Sequence, residues 1–387
     1  MTSNPGHGPV TELRAPLWAV VKNEWVKLWA RKRWVMVLGL AAMVVVGTLF
    51  AANTASQQAQ VRQAEAGALA QNMSQMKAQI AQAKGTARQQ AQFQLVQMQQ
   101  QLNQLNSQGV PVRANLASNQ STLAHLQGTS RYPIEVAIQT DHYDLARGIR
   151  TMSNRTDGGW LLPGIVLGGA GVVALGFLVL LVAVDNVAGE RQGATIPLMF
   201  LHAGNRVQTF MGKAVALVLT TWGLVVGAAV GFFVLGGLTM GFGSPSVPEV
   251  VGAQYGGPVT SFTYASSHVT ILSQLGFDVW AVVLACLSLA VWAVLLVGVS
   301  TFLSSSGLAV GIGAAVILST EFLTQLHSPW LLGDPALHLS LMESWDGTLA
   351  NQLAMGSATL TTGALVLAGW AAVALGVGSW KFAHLEP

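Results

Sequence analysis

The chain has 387 residues, 52% of them hydrophobic and only 9% charged, with a net charge of +3 and a mean hydropathy of +0.50. About a quarter of a soluble domain's residues are charged, so this chain cannot solvate a globular surface and reads as a polytopic membrane protein. The single cysteine, Cys286 inside an apolar run, excludes a disulfide framework or a cysteine zinc cluster. Apart from one membrane-flanking cluster there is no basic patch interleaved with aromatics, which excludes nucleic acid as a partner.

Residues 1–33 form the N-terminal segment. Within it Pro16–Trp34 reads PLWAVVKNEWVKLWARKRW, with Leu17, Val21, Trp25, Leu28 and Trp29 at helical spacing and Lys22, Lys27 and Arg31 largely off that stripe. The pattern predicts an amphipathic helix in the headgroup layer, with Trp25 and Trp29 as anchors and Lys27, Arg31 and Arg33 near anionic lipid. A plain positive-inside anchor that only sets topology is the alternative. The first crossing is expected over residues 34–52, too long an apolar stretch, after too long a leader, for a cleaved signal peptide.

Residues 53–159 change character abruptly. Gln57–Gln108 is rich in Gln and Ala. Leu69, Met73, Met76, Ile80, Ala83 and Ala87, then Leu95, Met98, Leu102 and Leu105, follow alternating four- and three-residue steps. That rhythm is a weak coiled-coil seam with a phase break near Gly85-Thr86, compatible with one long helix or a hairpin. Low-complexity disorder is the competing reading of a Gln-rich tract. A further helix is expected at Asp141–Met152, leading back to the membrane.

Residues 160–387 hold five more apolar segments: Trp160–Val184, Thr209–Leu238, Val279–Leu303, Gly307–Leu323 and Ala358–Trp380. With the first, they make six expected transmembrane helices, and backbone pairing in lipid excludes strands over such lengths. Lys22, Lys27, Arg31, Lys32 and Arg33 put the N-terminus in the cytoplasm. Arg191, Arg206 and Lys213 put the second-to-third connector there too, and Lys381 does the same for the C-terminus. The outer loops Gly241–Asp278 and Thr324–Ser357 carry no Lys or Arg. The nine basic residues of Asn53–Gly159 belong to a loop long enough to escape the rule. The expected fold is thus all-α, with a large helical, coiled-coil extracytoplasmic insertion between the first two spans.

Within the spans, Gly223, Gly227 and Gly231, and again Gly307 and Gly311, recur every fourth residue, a spacing that allows close helix approach in lipid. Glu321, His327, Asp334, His338, Glu343 and Asp346 gather in the last outer region, but their spacing matches no defined metal-ligand set, and Trp330 and Trp345 read as interfacial anchors. No phosphate loop, nucleophile elbow or zinc-hydrolase pair occurs, so no catalytic residue, cofactor or metal is expected, and the energy must come from a gradient or a partner.

The connector, residues 185–208, reads DNVAGERQGATIPLMFLHAGNRVQ and runs on to Lys213, after which no Lys or Arg occurs until Lys381. Ile196, Leu198, Met199, Phe200 and Leu201 predict a short apolar helix between Gly193 and Gly204. A mere linker needs no such face, whereas an element that transmits force needs a stiff helix with charged handles.

The sequence resembles the permease subunits of the ABC-2 transporter family. Those subunits have a Glu, a basic residue and Gly-Thr after the second span, then a hydrophobic helix, a proline-containing turn and a Gly-Lys opening the third span. Glu190, Arg191, Gly193, Thr195, Arg206, Gly212 and Lys213 take those places. Ala194 separates Gly193 from Thr195, and HAGNR (His202–Arg206) replaces the proline turn. The resemblance also covers Asn23–Trp34, the six spans and the inside termini, but not the Gln-rich segment.

The resemblance implies a cell-membrane permease paired with a second copy or a paralogue, and docked to a separate ATP-binding subunit that hydrolyses the nucleotide. Export is the implied direction. Glu190, Arg191, Gly193, Thr195, Pro197, Leu198, Leu201, Arg206 and Lys213 would then form the coupling surface, with the helix bearing Trp25, Lys27, Trp29, Arg31 and Arg33 beside it. Two other readings stay open: a scaffold or sensor using the outer coiled coil, and a gradient-driven carrier, for which broken helices or mid-bilayer charges would be the sign.

Overall fold

The structure is a computed structural model that describes residues 16–82, 111–125, 131–149, 159–183, 186–192, 205–252, 255–256, 263–264, 269–323, 328–353 and 355–385. Helices dominate. Helix α1 (Leu17–Gln82) is followed by α2 (Val112–His125), α3 (Arg131–Ala146), α4 (Leu161–Gly168), α5 (Ala170–Ala183), α6 (Ala188–Gln192) and α7 (Arg206–Met240). After a small strand region come α8 (Gln274–Ser300), α9 (Ser306–Leu323), α10 (Leu341–Asp346), α11 (Thr348–Leu353) and α12 (Leu360–Ala383). Five segments are long and apolar enough to cross a membrane: Leu17–Thr54 of α1, Ala170–Arg191, α7, α8 and α12. The remaining expected crossing, Gly307–Leu323, is α9, whose 18 residues rise about 27 Å, just under a hydrocarbon core of about 30 Å.

The N-terminal amphipathic segment is not a separate element. It is the opening of α1, which runs unbroken for 66 residues through the first span and into the outer segment. No proline or glycine interrupts Leu17–Leu38, so nothing in the sequence breaks the hydrogen-bond ladder there. Beyond the span, Leu69 and Met76 are half-buried and Met73 is buried among exposed neighbours, as a seam requires. The seam side chains from Ile80 onward, and the phase break at Gly85-Thr86, lie outside the described residues.

The later part of the outer segment is a helical pair. Asn115 donates to both carboxylate oxygens of the fully buried Asp141, at 3.1 and 2.9 Å, and Asn119 adds a 2.9 Å bond. The helix expected at Asp141–Met152 is displaced. It starts at Arg131, because Pro133 is tolerated in a first turn, and it stops at Ala146, where Gly148 adopts a left-handed φ of 74°.

The second span is two helices rather than one. Gly169 (φ −135°, ψ −124°) breaks it, and the Gly168 carbonyl accepts a 2.9 Å bond from the Ser340 hydroxyl. The loop after α7 also departs from an all-helical expectation. Strand β1 (Pro248–Val251) pairs antiparallel with β4 (Thr270–Ser273), and β2 (Tyr255–Gly256) pairs with β3 (Thr263–Tyr264) between them. This nested hairpin packs on α3 and on the end of the bundle away from the connector.

Helix α8 is the hub, packed against α4, α5, α7 and α12 around Leu284, Leu289, Trp292 and Val297. Helix α1 lies parallel to α7: Val20 meets Gly212, Leu40 meets Gly227, Val44 meets Gly231 and Phe232 meets Gly47. A methyl group on Gly231 would sit 2.9 Å from Val44, so this approach needs glycine. Gly223, Gly307 and Gly311 share the same spacing but face open space. Helices α1 and α12 turn most of their apolar surface outward, including Leu38, Leu49, Phe50, Leu365 and Val373. A bilayer accounts for such a surface where water does not.

Candidate functional site: the connector end of the bundle

The cationic connector residues converge at the end of the bundle that holds the start of α1, the start of α7 and the ends of α8 and α12. Asn205 caps α7, its side-chain oxygen accepting from the amides of Val207 (3.0 Å) and Gln208 (3.3 Å). HAGNR thus starts the helix with a capping asparagine where the family pattern uses a proline turn. The cap aims the first turns of α7 so that Lys213, two turns in, points at α1.

Lys213 has a wholly buried side chain. Its ammonium lies 2.7 Å from Glu24 Oε2 of α1 and 2.9 Å from the Glu190 carboxylate of α6. Glu24 Oε1 also accepts from Lys27 at 2.8 Å. Glu24 and Glu190 are 4% and 6% exposed, so Lys213 and the two carboxylates are nearly dry, and the partly exposed Lys27 closes the charge balance at the surface. Three helices separated in sequence meet there. Burial makes the assembly sensitive: Lys213, Glu24 and Glu190 have given up water and depend on their partners for compensation.

The two connector arginines cap helix ends. Arg191 donates to the carbonyls of Thr301 (3.3 Å) and Leu303 (3.4 Å), just past the end of α8. Arg206 donates to those of Ala383 (3.1 Å) and Leu385 (2.8 Å), at the end of α12. The last carbonyls of a helix lack intrahelical partners and carry the negative end of its dipole, so a guanidinium satisfies both needs. Glu190, Arg191, Arg206 and Lys213 therefore grip α1, α7, α8 and α12 instead of projecting as free handles.

Gly193, Thr195, Pro197, Leu198 and Leu201 lie outside the described residues. On α1, Trp25 and Trp29 are about half exposed, Arg31 and Arg33 are exposed, and Arg33 stacks over Trp34 at 5.5 Å. The residue sequence reading passed over is Glu24. Its signal was a lone acid inside the basic run Lys22–Arg33, but its partner is 189 residues away. Among the described residues no group of His, Cys, Asp or Glu could hold a metal ion. What the arrangement offers is mechanical linkage.

No curated protein and no solved structure matches the chain. A family profile described as ABC-2 family transporter protein matches residues 18–385, from the start of α1 to just past the end of α12. With a match over nearly its whole length and a bundle of apolar helices long enough to cross a bilayer, the chain belongs to the ABC-2 transporter family of multi-pass membrane proteins.

Proposed function

We propose that the chain is the permease subunit of an ATP-binding cassette exporter in the cell membrane. It crosses six times with both termini cytoplasmic, works beside a second permease copy or a paralogue, and is driven by ATP hydrolysis on a separate subunit. The supporting observation is the anchoring of both flanks of the connector. Before Gly193, Glu190 and Arg191 hold α7, α1 and the end of α8; after Gly204, Arg206 holds the end of α12. A push delivered to the flanks of residues 193–204 therefore reaches four helices through short polar contacts.

In this reading the apolar stretch Pro197–Leu201 and the start of α1 meet the ATP-binding subunit, while Glu190 and Arg191 orient the docking surface. Closure of the ATP-binding pair rocks the helices and opens a path between the two permeases. The basic residues at this end and their absence from the short outer loops support the cytoplasmic placement.

The test is co-purification with the ATP-binding subunit in wild type and Leu198→Asp. The variant is expected to insert normally, lose association and lose coupled ATP turnover. Undiminished association and turnover would overturn the docking role. Orientation is checked with Val207→Cys in a Cys286→Ala background: an impermeant maleimide should label it only after the membrane is opened.

A further inference from the structure

At the end of the bundle away from the connector, the start of α8 carries Gln274 and Asp278, four residues apart and therefore on one face. Both are buried, at 1% and 7% exposure. The Gln274 side-chain nitrogen donates to the Trp160 carbonyl at 3.2 Å and to Asp278 Oδ1 at 3.0 Å. The Gly164 amide donates to the same Oδ1 at 3.0 Å. A carbonyl oxygen only accepts, so the contact with Trp160 fixes which end of the Gln274 amide is nitrogen. Two oxygens are left over. Asp278 Oδ2 and Gln274 Oε1 are shielded from solvent and have no donor among the described residues. Shielded acceptors without partners are costly, so the pair is incomplete until something that donates arrives.

The charges nearby say what arrives. Of α4, α5, α7, α9, α10, α12, β1 and β4, which pack against α8, only α7 and α12 contain Lys or Arg. Those residues, Arg206, Lys213 and Lys381, lie at the connector end. The titratable side chains on the other elements are acids: Glu249 on β1, Glu321 on α9, and Glu343 and Asp346 on α10. The Glu249 carboxylate is close enough to act on Asp278, and like charges repel. An ionised Asp278 would be a desolvated charge with a like charge beside it and one oxygen bare. The protonated acid is uncharged and gains a donor on that oxygen.

We propose that Gln274 and Asp278 form a proton-binding site, in which Asp278 takes one proton on Oδ2 and pairs with the Gln274 amide through two hydrogen bonds. The proton comes from water, and no other covalent bond changes. Oδ1 goes on accepting from the Gln274 nitrogen while the new O–H donates to Oε1. A single proton thus satisfies both leftover oxygens and removes the charge. The bonds already made to Trp160 and Gly164 tie the start of α4 to the start of α8. The proton therefore holds the second span against the hub helix, and its loss puts a charge beside Glu249 inside that joint. The site is independent of the docking role.

The test is infrared spectroscopy of the purified full-length chain at pH 6, in wild type, Asp278→Asn and Gln274→Leu. An ordinary aspartate, with a pKa of about 3.9, is ionised at that pH. The carbonyl stretch of a protonated carboxylic acid stands apart from the bands of a carboxylate. Subtracting Asp278→Asn from wild type should leave one protonated-acid band that moves on transfer to heavy water. A carboxylate signal in its place would overturn the proposal. Asparagine can make the same two-point pair, its Nδ2 donating to Oε1, so this variant should melt as wild type does. Gln274→Leu reads the same band without altering Asp278, and so decides the matter where Asp278→Asn does not fold. It leaves the acid but removes its partner, so the band should persist and shift to higher frequency. An acid region identical to that of wild type would overturn the pairing.

Discussion

The two ends of the bundle solve the same problem differently. At the connector end, elements far apart in sequence are joined by charges: Glu24, Lys213, Glu190 and two helix-capping arginines. At the opposite end the joints are rings, backbone and close packing. Trp345 stacks on Phe277 at 6.0 Å, Trp160 meets Phe233 at 4.5 Å, and Asp278 accepts from the Gly164 amide and the Gln274 side chain. Packed rings have one good arrangement, whereas ion pairs can exchange partners when helices shift. The contrast assigns stiffness to the packed end and convertible contacts to the end where the proposed motor docks.

The sharpest way to break that contrast is Lys213→Met. It removes the buried cation that two carboxylates share, leaving Glu24 with Lys27 alone, and removing one partner of a buried ion group costs about 3–5 kcal/mol. A large fall in melting temperature in detergent is expected. Adding Glu24→Gln and Glu190→Gln should recover much of the stability, because a neutral set of similar shape no longer pays for desolvated charge. The triple variant should still fail to couple ATP turnover to transport. A triple variant that couples normally would show the charges to be structural filler.

Next in size is a test of the packed end. Gly159 sits against α7 so closely that an added methyl would lie 2.5 Å from the Gly237 amide nitrogen and 2.6 Å from the Phe233 carbonyl. Backbone cannot step aside as a side chain can, so Gly159→Ala should cost about 1–3 kcal/mol. Gly223→Ala, in open space, should melt as wild type.

The same glycines show where legibility ended. Period and spacing treat Gly223, Gly227 and Gly231 alike, yet only the last two meet α1, because the direction a helix face points is decided by its neighbours. The apolar helices were legible, since a span in lipid leaves a long hydropathic signature. The nested hairpin was not. Its strands are two to four residues long and owe their pairing to the ends of the bundle, below what alternation can register. At the site, the cationic connector stood out against a chain otherwise bare of charge. Its principal partner did not, because nothing in a sequence links Glu24 to Lys213 before α1 and α7 are laid side by side.

A smaller effect separates the arginine caps from the ion network. Arg206 is partly exposed to solvent, so Arg206→Gln should cost only about 1 kcal/mol through weakened capping of α12. Its effect on coupling should exceed its effect on melting, because it loosens a tie between the connector and α12. Equal loss of both would mean that the cap acts only on stability.

The smallest effect concerns protons at the packed end. His338 is fully buried between the last two spans, its Nε2 bonded to the Leu332 carbonyl at 3.0 Å and its Nδ1 3.4 Å from the Ser344 hydroxyl. Burial lowers its pKa below the ordinary 6.5, against smaller raising effects of the Leu332 carbonyl and Asp334. Below pH 6.5 the unfolded chain binds a proton that the folded one refuses, so this contribution is whole above that pH and is lost as pH falls through it. Asp346 and Glu249 act in the opposite sense: burial raises both, so the folded chain holds their protons more firmly and their contribution declines as pH rises. The direct scan therefore mixes opposing slopes, and the difference between wild type and His338→Gln isolates the imidazole. Between pH 7 and pH 5 the wild type should lose more melting temperature than the variant, while coupling at pH 7 stays the same in both. A variant as acid-sensitive as wild type would place the proton-sensitive group elsewhere and leave the packed end without an acid-labile histidine.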